Sequence, residues 1–102
     1  MPEWKKPENV EIKIQKKFLK ELAKIPKKER QKIEDFVFEE SAAMNSLEEA
    51  GIFEKMKGYR YYYKARFGSY RVGVRYEDNI LIFERVLHRK EIYRYFPWEY
   101  AT

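Results

Sequence analysis

The chain has 102 residues, with 22 Lys and Arg against 17 Asp and Glu, a net charge of +5 and a pI near 9.3. That length supports one hydrophobic core but not two. The absence of cysteine excludes disulfides and thiolate metal sites, and a single histidine without a paired carboxylate motif leaves no recognisable zinc or iron set, so no cofactor is expected. No apolar run approaches the roughly 18 residues that cross a membrane, and MPEWKKPENV lacks the apolar segment of a signal peptide, so a cytoplasmic location without a membrane partner is expected.

The charge is striped along the chain. Residues 5–32 carry eleven Lys and Arg against four Asp and Glu, residues 33–58 carry two against seven, and residues 59–102 carry nine against five. All nine tyrosines and seven of the eight arginines fall after residue 58. Arginine offers phosphate a planar fork and tyrosine offers a base a stacking face, although tyrosine also simply favours strands. The positive balance favours an acidic partner.

In chain order, Val10 to Gln15 alternates strictly and predicts a short strand with one buried face. Phe18, Leu19, Leu22 and Ile25 recur at helical spacing until Pro26, which ends that segment and can open the next helix. Ile33, Phe36, Val37 and Met44 then mark the core stripe of a helix of about five turns, with Glu34, Glu39 and Glu40 outside. Ser46-Leu47-Glu48-Glu49 fits a capping box for a short turn stopped by Gly51, and residues 52–58 read as a connector anchored by Ile52, Phe53 and Met56.

Tyr59 to Tyr76 reads as a hairpin closed by Gly68-Ser69, since Gly-X between two β-rich runs suits a type II′ turn. That turn pairs Phe67 with Tyr70 and sets the register. One face then holds Phe67 with Tyr70, Ala65 with Val72, Tyr63 with Val74 and Tyr61 with Tyr76, a core face. The other holds Arg66 opposite Arg71, Lys64 opposite Gly73, Tyr62 opposite Arg75 and Arg60 opposite Glu77, a cationic face. Opposed arginines repel, by about 0.2–1 kcal/mol on the cross-strand scale, which fits either an anion site or an ordinary solvated basic face. Gly73, lacking a side chain, would let a ligand backbone approach the sheet.

After a turn at Glu77-Asp78-Asn79, Ile80 to Leu87 is apolar on both faces and predicts the central strand. His88 to Arg94 predicts a short helix or turn with Arg89 and Tyr93 on one face, and the aromatic tail Tyr95 to Tyr100 is expected to fold back. No internal repeat or low-complexity tract is present. The predicted class is α+β, in the order β-α-α-β-β-β(-α): a small antiparallel sheet with a helical hairpin on one face and the basic face open.

Tyr-Lys-Ala-Arg at 63–66, Ser-Tyr-Arg-Val at 69–72 and Val-Leu-His-Arg-Lys-Glu-Ile-Tyr at 86–93 together resemble the RelE family of the RelE/ParE toxin superfamily. The likeness covers residues 10–97 of a single domain spanning 1–102, with residues 1–9 an extension outside the pattern. The resemblance implies the toxin of a type II toxin–antitoxin pair, a ribosome-dependent mRNA endonuclease partnered by a cognate antitoxin. It also implies a catalytic set of Lys64, Arg66, Arg71, Arg89 and Tyr93; Arg75 and Tyr62 on the same cationic face, and His88 before Arg89, are expected as further RNA contacts.

Attack of an RNA 2′-OH on its own phosphate needs alignment, proton transfer and charge stabilisation, and cations without a metal can supply these. Lys64 would serve as base if crowding by Arg66, Arg71 and Arg75 lowers its pKa. Arg66, standing where the family usually has a lysine, would stabilise charge. Arg71 and Arg89 would hold the phosphate, and Tyr93 would stack on a base or orient the 2′-OH. Two other readings share the basic face: a ParE-like inhibitor of DNA gyrase, and a non-catalytic RNA- or ribosome-binding domain.

Overall fold

The computed structural model describes residues 9–97. The alternating segment near the start forms β1 (Glu11–Ile14), and α1 (Lys16–Ala23) follows, burying Phe18 and Leu22. Pro26 sits at the N-cap of α2 (Lys27–Asp35), where its fixed φ, here −53°, suits the helix entry. The helical path continues through a π turn, Phe36–Glu40, and a 3₁₀ turn, Ser41–Ala43. Ile33, Phe36, Val37 and Met44 are all buried along it, and the buried Ser41 hydroxyl donates to the Val37 carbonyl at 2.7 Å.

At α3 (Leu47–Ala50) the Ser46 hydroxyl accepts from the Glu49 N–H at 3.2 Å, while the Glu49 carboxylate accepts from the Asn45 N–H at 2.7 Å. Gly51, at φ 69°, closes the turn in the left-handed conformation that glycine adopts without penalty. The segment read as a connector contains a strand, β2 (Phe53–Lys55). Three residues are too few for alternation to show. Then come β3 (Tyr62–Phe67), β4 (Tyr70–Glu77), β5 (Ile80–His88) and α4 (Ile92–Tyr95). Residues 98–100 of the aromatic tail and 1–8 of the extension lie outside the described residues.

The strands form one sheet in the order β1-β5-β4-β3-β2. β1 pairs parallel with β5, so the sheet is mixed and the expectation of a purely antiparallel one is corrected. The helices lead the chain from β1 at one edge of the sheet to β2 at the other, and the chain returns through β3 and β4 to set β5 parallel beside β1. The middle strand is β4, and β5 is interior beside it, which accounts for its apolar residues on both faces. The β3–β4 register is the expected one, from Phe67 with Tyr70 to Tyr62 with Arg75.

The helices cover one face. Phe18, Leu22, Ile33, Phe36 and Val37 pack with Ala65, Val72, Val74, Leu81, Phe83 and Val86 in one buried cluster. The Phe18 and Phe83 rings, both fully buried, meet at 5.5 Å between centroids. Each such burial contributes on the order of 2–3 kcal/mol.

The opposite face is half covered. Met56, Tyr62, Ile92 and Phe96 form a second buried cluster there, so α4 and the residue after it fold onto the sheet. A Cβ on Gly73 would lie 2.7 Å from the Phe96 ring. The space above Gly73 is therefore filled by this chain's own aromatic ring, which corrects the expectation that a ligand backbone approaches there.

Candidate nucleic-acid interface on the basic sheet face

Strand alternation and register bring Glu54 of β2, Lys64 of β3, Gly73 of β4 and Arg85 of β5 into one row across the sheet. Lys64 is its centre. Its Nζ lies 3.2 Å from a Glu54 carboxylate oxygen, donates to the Tyr93 hydroxyl, and stands 4.6 Å from the Tyr93 ring centroid. Tyr93 reaches this place because Ile92 and Phe96, on either side of it, are buried in the second cluster. Tyr93 is nonetheless 59% exposed, which suits a tyrosine that stacks on a base.

These contacts raise the Lys64 pKa above the ordinary lysine value: the Tyr93 hydroxyl acts most strongly, partial burial opposes it, and Glu54 adds to the rise. The expectation that Arg66, Arg71 and Arg75 lower it is corrected. A hydroxyl and a carboxylate, both favouring the ammonium, are the groups that touch it.

Arg66 and Arg71 face each other next to the Gly68-Ser69 turn, as their register requires. Arg71 donates to the Gly68 carbonyl at 2.8 Å and to the Tyr70 carbonyl at 3.0 Å. Its pKa is lowered, first by burial and then by the charges of Arg66 and Arg89. Arg89 belongs to the turn before α4 rather than to the helix carrying Tyr93; its N–H donates to the Ser69 carbonyl at 2.8 Å, which brings it beside the same turn. Arg66 and Arg89 are exposed. The structure thus assembles a lysine–tyrosine pair and, at the turn, a group of three arginines in which Arg66 and Arg89 both act on Arg71.

The remaining expected contacts lie elsewhere. Tyr62, only 5% exposed, packs its ring against Phe96 and Tyr59 and presents no open face to a base, because α4 covers it. Arg75 is engaged by the Glu77 carboxylate at 2.5 Å and by the Tyr62 hydroxyl at 3.3 Å. His88 pairs with Tyr70 on the side of the sheet that also carries Val72 and Val86, its ring 5.7 Å from that of Tyr70, and so is turned away from Lys64. Sequence reasoning missed Glu54, Phe96 and Arg85. Glu54 had no local signal, whereas glycine opposite a basic residue in mid-strand did mark the place where Phe96 lands.

Among the described residues, no group of three or more His, Cys, Asp and Glu side chains is arranged to hold a metal ion, and no helix is long and apolar enough to cross a membrane.

Residues 12–93 match the family described as the ParE toxin of the type II toxin-antitoxin system, parDE. The chain is 43% identical over 83 residues to Toxin RelE3 of Methanocaldococcus jannaschii, covering 80% of this chain and 93% of that protein. It is similar to the crystal structure of the RelB-RelE antitoxin-toxin complex from Methanococcus jannaschii, with a TM-score of 0.70 and 41% identity, covering 83% of this chain and 99% of that one. The archaeal RelE-RelB complex from Pyrococcus horikoshii OT3 shares the fold, with a TM-score of 0.63 at 22% identity, covering 82% of this chain and 99% of that one. The matched residues run from β1 into α4 and include the Lys64–Tyr93 pair and all three turn arginines, and the chain belongs to the ParE toxin family of type II toxin–antitoxin systems, within which it is RelE-like.

Proposed function

We propose that the chain cleaves messenger RNA on the ribosome, in the cytoplasm, as an endoribonuclease needing no metal at the chemical step, and that a cognate antitoxin restrains it. The observation that carries this reading is the contact between Lys64 and the exposed Tyr93 beside the Arg66, Arg71 and Arg89 group. That combination suits a phosphate flanked by unstacked bases.

In the proposed reaction the RNA 2′-oxygen bonds to phosphorus as the bond to the 5′-oxygen breaks, leaving a 2′,3′-cyclic phosphate and a 5′-hydroxyl. Arg71, Arg89 and Arg66 hold the phosphate and offset the charge that grows on it. Lys64, whose pKa is raised, stays protonated at neutral pH and hands a proton to the departing 5′-oxygen, while water takes the 2′-hydroxyl proton. Tyr93 stacks on a base and keeps the ribose in line. For the antitoxin, support comes from the solved relatives, which are complexes with RelB, and from the lysines between Lys13 and Lys32, which suit an acidic, partly disordered segment.

The test is primer extension on a message being translated in the presence of the purified chain, followed by analysis of the ends. Cleavage that requires the ribosome and yields 2′,3′-cyclic phosphate supports the proposal; 5′-phosphate ends count against it. ParE-like inhibition of gyrase is the second reading, favoured by the family description. Blocked DNA supercoiling with message left intact would establish it, and saturable ribosome binding without cleavage would instead mark a binding domain.

A further inference from the structure

Next to Lys64 and Tyr93 a cleft of about 460 Å³ runs between the end of β2 and the residues that follow α4. The buried Met56 and Phe96 form its apolar floor with Pro97, the half-buried Tyr59 and the exposed Tyr93 offer ring surface, and the exposed lysines Lys55 and Lys57 border it. The lining is held in shape by the fold. Tyr59 meets Tyr62 edge to face at 5.9 Å, Tyr62 meets Phe96 at 5.4 Å, and the Tyr59 N–H donates to the Met56 carbonyl at 3.2 Å. Glu54 also lines the cleft, with one carboxylate oxygen 3.2 Å from the Lys64 ammonium.

Aromatic surface bordered by cations takes nucleotides, the rings stacking on the base and the lysines meeting the phosphate. The geometry points to a nucleobase subsite here, taking the base next to the scissile phosphate, with Glu54 selecting guanine. An ionised carboxylate only accepts hydrogen bonds, through two oxygens side by side. Guanine alone presents two adjacent donors on its Watson–Crick edge, N1–H and the N2 amino group, whereas adenine, cytosine and uracil each present one donor next to an acceptor. The inference rests on the RNA-cleaving reading for the strand's path, since Lys64 and Tyr93 belong to both the cleft and the proposed reaction centre.

The experiment is a nuclear magnetic resonance titration of the full chain with the four nucleoside 3′-monophosphates. Guanosine 3′-monophosphate should bind roughly tenfold more tightly than the others, the discrimination expected of a bidentate pair, with the largest shifts at Glu54, Lys57 and Tyr59. In Glu54→Gln, a change at a residue 73% exposed that leaves the core untouched, the preference should fall to within about twofold. Equal affinities in the parent, shifts confined to Arg66, Arg71 and Arg89, or a preference that survives Glu54→Gln would each overturn the assignment. The titration does not depend on cleavage. Guanosine 3′-monophosphate bound in this cleft by a chain that cuts no message keeps the subsite and removes the reaction; cleavage with no guanosine preference and no shift here removes the subsite alone.

Discussion

Glu21 and Arg85, 64 residues apart in the chain, form a buried pair joined by three hydrogen bonds of 2.6 to 3.0 Å. The same carboxylate accepts from the Val86 N–H at 3.1 Å, a β5 donor beyond Phe83, where the pairing with β1 ends. On its other side the guanidinium donates to the Tyr95 carbonyl at 3.2 Å and stands 5.6 Å over the Tyr95 ring. One ion pair therefore ties α1 to β5 and to α4, the helix that carries Tyr93.

Removing one partner of such a pair leaves a buried charge uncompensated. Glu21→Ala should cost about 3–5 kcal/mol in chemical denaturation, and Glu21→Gln less, because the amide oxygen still accepts a hydrogen bond. A loss below about 1 kcal/mol for the alanine variant would mean that the pair is not closed in solution.

Gly73→Ala places a methyl group against the Phe96 ring at 2.7 Å, and the ring, buried beside Tyr62, has little room to yield. The expected loss is about 1–3 kcal/mol, the usual cost of overpacking, with a weaker Lys64–Tyr93 contact as α4 is pushed outward. Ring-to-ring nuclear Overhauser effects between Phe96 and Tyr62 should diminish together with the stability. A fully stable variant with those effects unchanged would show that the ring does not sit over Gly73.

Arg71→Ala separates the site from the scaffold. The variant loses hydrogen bonds to Gly68 and Tyr70 but also loses the repulsion of Arg66, so its stability should stay within about 1 kcal/mol of the parent. Single-turnover cleavage should fall by roughly 100- to 1000-fold, as when a charge-stabilising group leaves a preorganised site. Val72→Ala, on the neighbouring, fully buried residue, should behave in the opposite way, losing about 2 kcal/mol of stability while the folded fraction cleaves normally. Parental rates in Arg71→Ala would remove that residue from the chemistry.

The raised Lys64 pKa has a defined pH signature. Because the folded value lies above the ordinary 10.5, the stabilisation from Tyr93 and Glu54 is fully present below that pH and is lost as the pH rises through the folded value. Tyr93→Phe removes the strongest of these influences. Followed by nuclear magnetic resonance, the Lys64 ammonium should titrate above 10.5 in the parent and at lower pH in the variant. Identical titrations would show that the hydroxyl does not hold the lysine.

Features that depend on neighbours along the chain are legible in the amino-acid sequence. The β3–β4 register follows from a glycine turn and period-two alternation, so the Arg66–Arg71 opposition can be read directly from residues 59–76. The buried Phe18 and Leu22 of α1, the Ser46 cap and the Gly51 stop follow from equally local rules, although Leu19, expected on the same stripe, is exposed. Contacts between distant segments are settled by tertiary packing instead. β2 is too short to carry a pattern, yet it sets Glu54 against Lys64 and so helps reverse the direction of the lysine's pKa shift. The parallel pairing of β1, the Glu21–Arg85 pair and the Phe96 ring over Gly73 join residues whose spacing in the chain obeys no period. Tyr62 passed from an expected RNA contact to a buried ring for the same reason: alternation assigns a side chain to a face of the sheet, and only the packing of α4 decides whether that face meets solvent.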